Sequence, residues 1–163
     1  MAALFAALIL AAPASAADRT VDLNSGAASF AWDGGSGLVS VSNQFFFDPA
    51  DPAGSCGGTG LPVPVFDYCD QTLVKVGEPG TVEFSLPEAG DGLIDDWDMY
   101  VYEAGADGTP GELLHSGEEI GGAESFTLDD ASGNYLVVAV PYQEVTSGFS
   151  GALSFSVPAP DEE

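Results

Sequence analysis

Four aspartates lie close together near the middle of the chain, where a glycine-flanked loop runs into an alternating aromatic segment: Asp91, Asp95, Asp96 and Asp98. Asp96 and Asp98 are two positions apart, so their side chains point the same way if the segment is extended. Calcium takes roughly six to eight oxygen ligands, which loops commonly supply. The sequence therefore predicts a candidate calcium site, although its spacing is not that of an EF-hand. The alternative is that these carboxylates accept hydrogen bonds from turn amides.

Aromatic residues follow these aspartates, at Trp97, Tyr100 and Tyr102. Such rings are candidates for a ligand-binding platform that stacks on a glycan or a peptide. Because side chains alternate along a strand, the two tyrosines share one face, and Met99 and Val101 share the other. One of the two faces must belong to the core, so the alternative is that at least half of these rings are packing residues.

The sequence offers little that could perform catalysis. His115 is the single histidine, and no Gly-x-Ser-x-Gly turn accompanies it, so a serine hydrolase is not indicated. A carboxylate pair of the glycosidase type is always available in a chain with 26 Asp and Glu residues, so finding one carries almost no information. We therefore expect that the protein is not an enzyme.

The N-terminus has the pattern of an export signal. Residues 1–12 form an apolar run, and Ala14-Ser15-Ala16 provides a small-residue cleavage site, which predicts a signal peptide over residues 1–16. The run is shorter than the roughly 20 apolar residues that cross a bilayer, so we expect no membrane span. We therefore expect the mature chain to be secreted and extracellular.

Acidic residues dominate the charge of the chain. The 26 Asp and Glu residues face only Arg19 and Lys75, which gives a formal net charge of -24 at pH 7. This charge excludes a nucleic-acid reader, which needs a basic surface, and it disfavours anionic lipid. It fits a solvated acidic coat, an adaptation to high salt or a preference for divalent cations, and charge alone does not separate the three.

Cys56 and Cys69 are the two cysteines of the chain. An even number of cysteines in an exported protein predicts a disulfide. This disulfide would close a loop of about 14 residues and stabilise the fold by roughly 3 kcal/mol in the chain-entropy model. The loop is rich in Gly and Pro, so we expect the bond to hold a segment that would otherwise be mobile.

Short alternating runs broken by Gly, Pro, Asp and Ser make up the rest of the chain. They predict an all-β protein, an antiparallel β-sandwich or jelly roll with about eight or more strands and one disulfide. Residues 134–140 are apolar on both faces, which predicts a central strand. The predicted strands are 20–23, 29–32, 37–42, 44–47, 73–76, 81–86, 97–103, 112–116, 124–128, 134–140 and 150–157.

Four of these segments, taken in order, resemble the bacterial pre-peptidase C-terminal (PPC) domain: GTVEFSL (80–86), DWDMYVY (96–102), GNYLVVAV (133–140) and SGALSF (150–155). The resemblance covers residues 73–157, with Met99 where that family usually has Leu. It implies a small jelly-roll sandwich that serves as a non-catalytic appendage of secreted peptidases and other hydrolases. Some members bind matrix polymers such as collagen, with calcium nearby.

One domain is therefore expected after the signal peptide. It consists of N-terminal strands and a disulfide-stapled loop (17–70), a PPC-like β-sandwich (71–157) and an acidic tail (158–163). We predict a secreted accessory or binding module for an extracellular polysaccharide or protein surface, with calcium as its candidate ion and a secreted hydrolase as a candidate partner. The alternatives are a structural cell-envelope or salt-adapted module without a small ligand and, third, a small carboxylate-based hydrolase.

Overall fold

The computed structural model describes residues 17–34, 47–56, 69–87, 96–118, 123–143 and 148–158. These residues form seven strands and one five-residue helix, and the predicted all-β class is confirmed. The elements are β1 (Arg19–Leu23), β2 (Ser29–Gly34), α1 (Pro52–Cys56), β3 (Asp70–Leu86), β4 (Asp96–Ala104), β5 (Pro110–Gly117), β6 (Glu124–Gln143) and β7 (Phe149–Ser156).

Some of the predicted features involve residues outside these ranges. The signal peptide, Asp91, Asp95, the predicted strand 37–42, most of the predicted strand 44–47 and most of the acidic tail lie outside the described residues. Two pairs of predicted strands are joined in the structure. Segments 73–76 and 81–86 are both part of β3, and segments 124–128 and 134–140 are both part of β6.

The strands hydrogen-bond in the order β2-β7-β3-β6-β4-β5, and β1 pairs with β3 in parallel. The N-terminal half of β3 lies between β1 and β6, whereas its C-terminal half lies between β7 and β6. The register of β3 against β6 shifts between Val76 and Val82. Bulges of this kind bend and twist a sheet.

Glycines permit the close approaches and the turn at this bend. A Cβ at Gly80 would lie 2.5 Å from the ring of Phe155, and Gly133 adopts a φ of 97°. The bend divides the sheet into two layers. We call β1, β4, β5 and the adjoining halves of β3 and β6 the first layer, and β2, β7 and the remaining halves the second layer.

Ring contacts show that the two layers face each other. Trp97 of β4 lies 4.7 Å from Phe149 of β7, measured between ring centroids, although these strands are not neighbours in the sheet. His115 of β5 stacks on Phe126 of β6 at the same distance. The interlayer core also contains Val74, Val82, Phe84, Met99, Val101, Val137, Leu153 and Phe155. The structure is therefore a sandwich built from one bent sheet.

A second apolar cluster lies on the outer face of the first layer. Tyr100, Tyr102 and three aliphatic side chains of β6 form it, and residues 47–56 cover it. The Cys56–Cys69 disulfide, with a Cα–Cα distance of 5.2 Å, ties the end of this covering segment to the start of β3. The predicted disulfide is thus confirmed, and it holds a cover over the sheet.

No described residue covers the outer face of the second layer. Cross-strand partners place small polar side chains in rows across four strands. One row is Ser29, Ser154, Glu83 and Thr127, and each of these residues is exposed. The next row contains Ala31, Ala152, Ser85 and Ser125.

Candidate functional site

The two described members of the predicted calcium set, Asp96 and Asp98, begin β4 and are buried. Alternation places them on the same face of β4 as Tyr100 and Tyr102. Each has an interaction partner, as buried carboxylates require. Within the described residues, no three His, Cys, Asp or Glu side chains come close enough together to hold a metal ion. The calcium site stays a prediction.

The predicted aromatic platform has no exposed face in this structure. Trp97, Tyr100 and Tyr102 are 4%, 2% and 1% exposed, and Trp97 faces the interlayer core. The two tyrosines face the opposite way, beneath the covering segment. Because β4 lies between β5 and β6 and both of its faces are covered, alternation brings neither set of rings to the surface. Burial therefore corrects the expectation that these rings form a ligand-stacking surface.

The tyrosine hydroxyls anchor neighbouring segments. Tyr100 donates a hydrogen bond to the Glu118 carboxylate at 3.0 Å, and Tyr102 donates one to the Pro49 carbonyl at 3.0 Å. Burial raises the pKa of Tyr102, and the nearby negative charge of Asp48 raises it further. Tyr102 is therefore a neutral donor that fixes the covering segment to β4.

His115 is held as a packing residue at the end of β5. Its ring stacks on Phe126 with an interplanar angle of 10°, and its Nε2 is buried without a hydrogen-bond partner. Burial lowers the pKa of His115, because it penalises the charged imidazolium. A Cβ at Gly117 would collide with the Glu124 carboxylate and lie 3.0 Å from His115 Nε2, so this glycine lets the two side chains approach. The arrangement supports a neutral structural imidazole.

One polar cluster was not predicted from the sequence. Arg19 of β1 forms an ion pair with Asp70 at the start of β3, donates to Thr72 Oγ1 at 2.9 Å and lies over the ring of Trp32. Asp70 raises the pKa of Arg19. The backbone amide of Gln71 donates to the carboxylate of Asp18 at 2.7 Å. These contacts lock the parallel strand β1 onto β3. With 26 acidic residues available, no sequence signal selects Asp70 as the partner.

An open recess of about 390 Å³ lies between the covering segment and β5, the last strand in the order of the described sheet. Most of its walls are apolar: Pro49, Ala50, Pro52, Tyr102, Pro110 and Leu113, with Asp51, Thr109 and Gly111 completing the lining. Leu113 is 39% exposed, and Val157 is the other large apolar side chain that is exposed among the described residues. We call this cavity the β5 recess.

Two further recesses lie elsewhere on the sandwich. One, of about 420 Å³, lies on the outer face of the second layer, between β2, β7 and β3. The other, of about 460 Å³, lies where Asp22, Lys75 and Asn134 are in register across β1, β3 and β6. The β5 recess alone among these three includes a large exposed apolar side chain.

No protein-family model matches the chain, and no curated protein matches it. The fold is similar to the solved pre-peptidase C-terminal domain of collagenase from Bacillus anthracis, with 10% identity, a TM-score of 0.43 and coverage of 86% of this chain and 96% of that one. It is also similar to CorA, a surface-associated copper-binding protein of Methylomicrobium album BG8, with 9% identity, a TM-score of 0.43 and coverage of 85% and 98%. The first structure belongs to the family that the strand motifs resemble. The described residues include no helix with the length and apolarity needed to cross a membrane.

Proposed function

We propose that the protein is an exported, non-catalytic binding module for an extracellular polymer or protein surface. The observation that carries the proposal is the β5 recess, where Leu113 is exposed beside a wall of prolines and Tyr102. Apolar recesses with a few polar groups at their rim are the usual form of binding sites. A single exposed leucine is ordinary on a protein surface, but a leucine that lines a preformed cavity favours recognition of a partner.

The candidate chemical groups support binding rather than catalysis. The single histidine of the chain is stacked in the interlayer core, and burial disfavours its charged form. Tyr100 and Tyr102 use their hydroxyls to hold Glu118 and the Pro49 carbonyl. A general base must reach the proton that it abstracts, and these groups already serve packing and anchoring.

A structural, salt-adapted module is the second candidate. The open outer face of the second layer and the net charge of -24 favour it, because a polar, acidic surface stays solvated when salt screens the repulsion between its charges. This candidate predicts a rise in stability with ionic strength and no retention on any surface.

Retention on insoluble matrices tests the proposed function. The mature protein is passed over chitin, cellulose, collagen and a matrix coated with a basic protein, at low and high salt. We expect retention on at least one matrix and loss of retention in Leu113→Ser. The matched control is Val157→Ser, which removes the other large apolar side chain that is exposed in the described part of the chain. Absence of retention on all four matrices would count against the binding function. A secreted hydrolase that co-purifies with the protein would identify the candidate enzyme partner.

We also propose calcium as a stabilising ion near the start of β4. The support is that two buried carboxylates, Asp96 and Asp98, lie at the start of β4, directly after Asp91 and Asp95 in the sequence. We expect millimolar calcium to raise the melting temperature, EDTA to reverse the rise, and Asp98→Asn to abolish it. Magnesium at matched ionic strength is the control. An equal rise with magnesium would identify screening of the acidic coat in place of a calcium site.

A further inference from the structure

We propose that the β5 recess binds an extended cationic polypeptide segment, which inserts an apolar side chain beside Leu113 and places basic residues against the acidic rim. This inference rests on the proposed binding function and narrows its partner to a polypeptide. Three properties of the recess carry it: a preformed apolar wall, an outward-facing leucine on the last strand of the described sheet, and a rim that contains a carboxylate and no basic residue.

The wall of the recess is preformed. Tyr102 holds the Pro49 carbonyl at 3.0 Å, and the Asp48 backbone amide donates to Ser55 Oγ at 2.9 Å. The disulfide at Cys56 fixes the far end of the same segment to β3. Proline has restricted backbone freedom, so the prolines in the wall lose little further entropy when a partner binds. The cavity therefore exists before the partner arrives.

A bulge in β5 sets the direction of Leu113. Tyr102 pairs with Leu113, whereas the preceding residue Val101 pairs with His115, so Leu114 is an extra residue on β5. Leu114 and His115 both pack toward the interlayer core. Leu113 is left on the outer face beside Tyr102, where it lines the recess. A β-bulge re-aims side chains in this way, and here it presents a leucine to the cavity.

The charged residues at the rim of the recess are acidic. Asp51 lines the recess, and Asp48 and Asp107 lie in the segments that contribute its lining. The two cations of the chain lie on other strands: Arg19 on β1, paired with Asp70, and Lys75 on β3. Neither cation lines the recess. The rim therefore complements a cationic partner.

A polypeptide fits this recess better than a polysaccharide does. Sugar rings commonly stack on exposed aromatic faces, and the rings of Trp97, Tyr100 and Tyr102 are buried. Acidic polysaccharides are repelled by the rim. In contrast, an aliphatic side chain matches the proline and leucine wall. The strand order ends at β5 in the described part of the chain, so an extended segment can run along this edge.

The experiment measures binding of fluorescein-labelled peptides to the mature protein by fluorescence anisotropy. The main probe alternates lysine with leucine. A second peptide alternates lysine with serine, and a third alternates glutamate with leucine. We expect the lysine–leucine peptide to bind roughly tenfold or more tightly than either of the others, because both the apolar and the charged contacts are needed. Affinity should fall as salt rises.

Matched variants locate the site. Leu113→Ser should weaken binding of the main probe roughly tenfold, whereas Val157→Ser should leave it unchanged. Asp51→Asn should weaken binding more than Asp22→Asn, which removes an exposed charge from the distant strand β1. Circular dichroism and melting temperature verify that each variant is folded.

Two outcomes overturn the inference. Equal affinities for the lysine–leucine and lysine–serine peptides would mean that only the diffuse negative charge attracts the probe. Equal effects of Leu113→Ser and Val157→Ser would place binding elsewhere. Retention on a polysaccharide matrix without peptide binding would sink this inference while leaving the proposed function standing, and failure of both assays would remove both.

Discussion

Side chains alternate in the same way on the two outer faces of the sandwich, but one face is covered and the other is not. On the first layer, the outward side chains are tyrosines and aliphatic residues, and a disulfide-tied segment covers them. On the second layer, the outward side chains are mainly Ser, Thr, Ala and Glu, and no described residues cover them. The difference shows that alternation reveals which residues share a face, whereas the chemistry of that face reveals whether another part of the chain covers it.

Truncating a ring on the covered face should give the largest loss of stability. We expect Tyr102→Ala to lower the free energy of unfolding by about 3–5 kcal/mol, because it opens a cavity and leaves the Pro49 carbonyl without its donor. Ser125→Ala on the open face is the control and should change stability by less than about 0.5 kcal/mol. Urea unfolding measures both. Similar losses in the two variants would mean that the faces do not differ energetically.

Removing the disulfide tests how the cover is held. We expect the double variant Cys56→Ala, Cys69→Ala to lose roughly 3 kcal/mol, the entropy of the loop that the bond closes. The covering segment should also become accessible to proteases before the second layer does, because the sheet beneath it keeps its hydrogen bonds. Limited proteolysis with mass spectrometry identifies the first cleavage. An initial cut in β7 would contradict this order.

A smaller effect on stability is expected from the interlayer core, where His115 titrates. His115 has a pKa below its ordinary value of 6.5 because it is buried, so above pH 6.5 it is neutral in both states and contributes no pH dependence. As the pH falls below 6.5, the unfolded chain binds a proton before the folded one, and stability decreases. We expect a loss below about 1 kcal/mol between roughly pH 6.5 and 5.5.

The His115→Phe variant isolates this titration, because phenylalanine keeps the stack on Phe126 and does not titrate. Chemical unfolding at the two pH values should show a smaller slope in the variant than in the parent protein. Since His115 is the only histidine, few other side chains change charge in this window. Identical slopes in the two proteins would show that the imidazole is equally hydrated in both states.

Particular residues show how far sequence patterns reach. The central position predicted for residues 134–140 is confirmed, because β6 pairs with both β3 and β4 and residues 135–140 are buried. The disulfide is also confirmed. The prediction that Tyr100 and Tyr102 lie on one face of β4, and Met99 and Val101 on the other, was correct. That both faces are buried could not be predicted, since the cover over the tyrosines comes from residues about 50 positions earlier.

The sequence by itself determined the all-β class, the opposed faces of β4 and the pairing of the two cysteines. Alternation is visible within each short segment, and two cysteines allow only one disulfide within the chain. Only the tertiary structure decided that β3 and β6 each run through both layers, that Arg19 pairs with Asp70, and that Leu113 faces a recess. These features depend on which distant segments meet. A one-residue bulge directs Leu113, and Arg19 pairs with one acidic residue among 26. Neither feature leaves a periodic signal in the sequence.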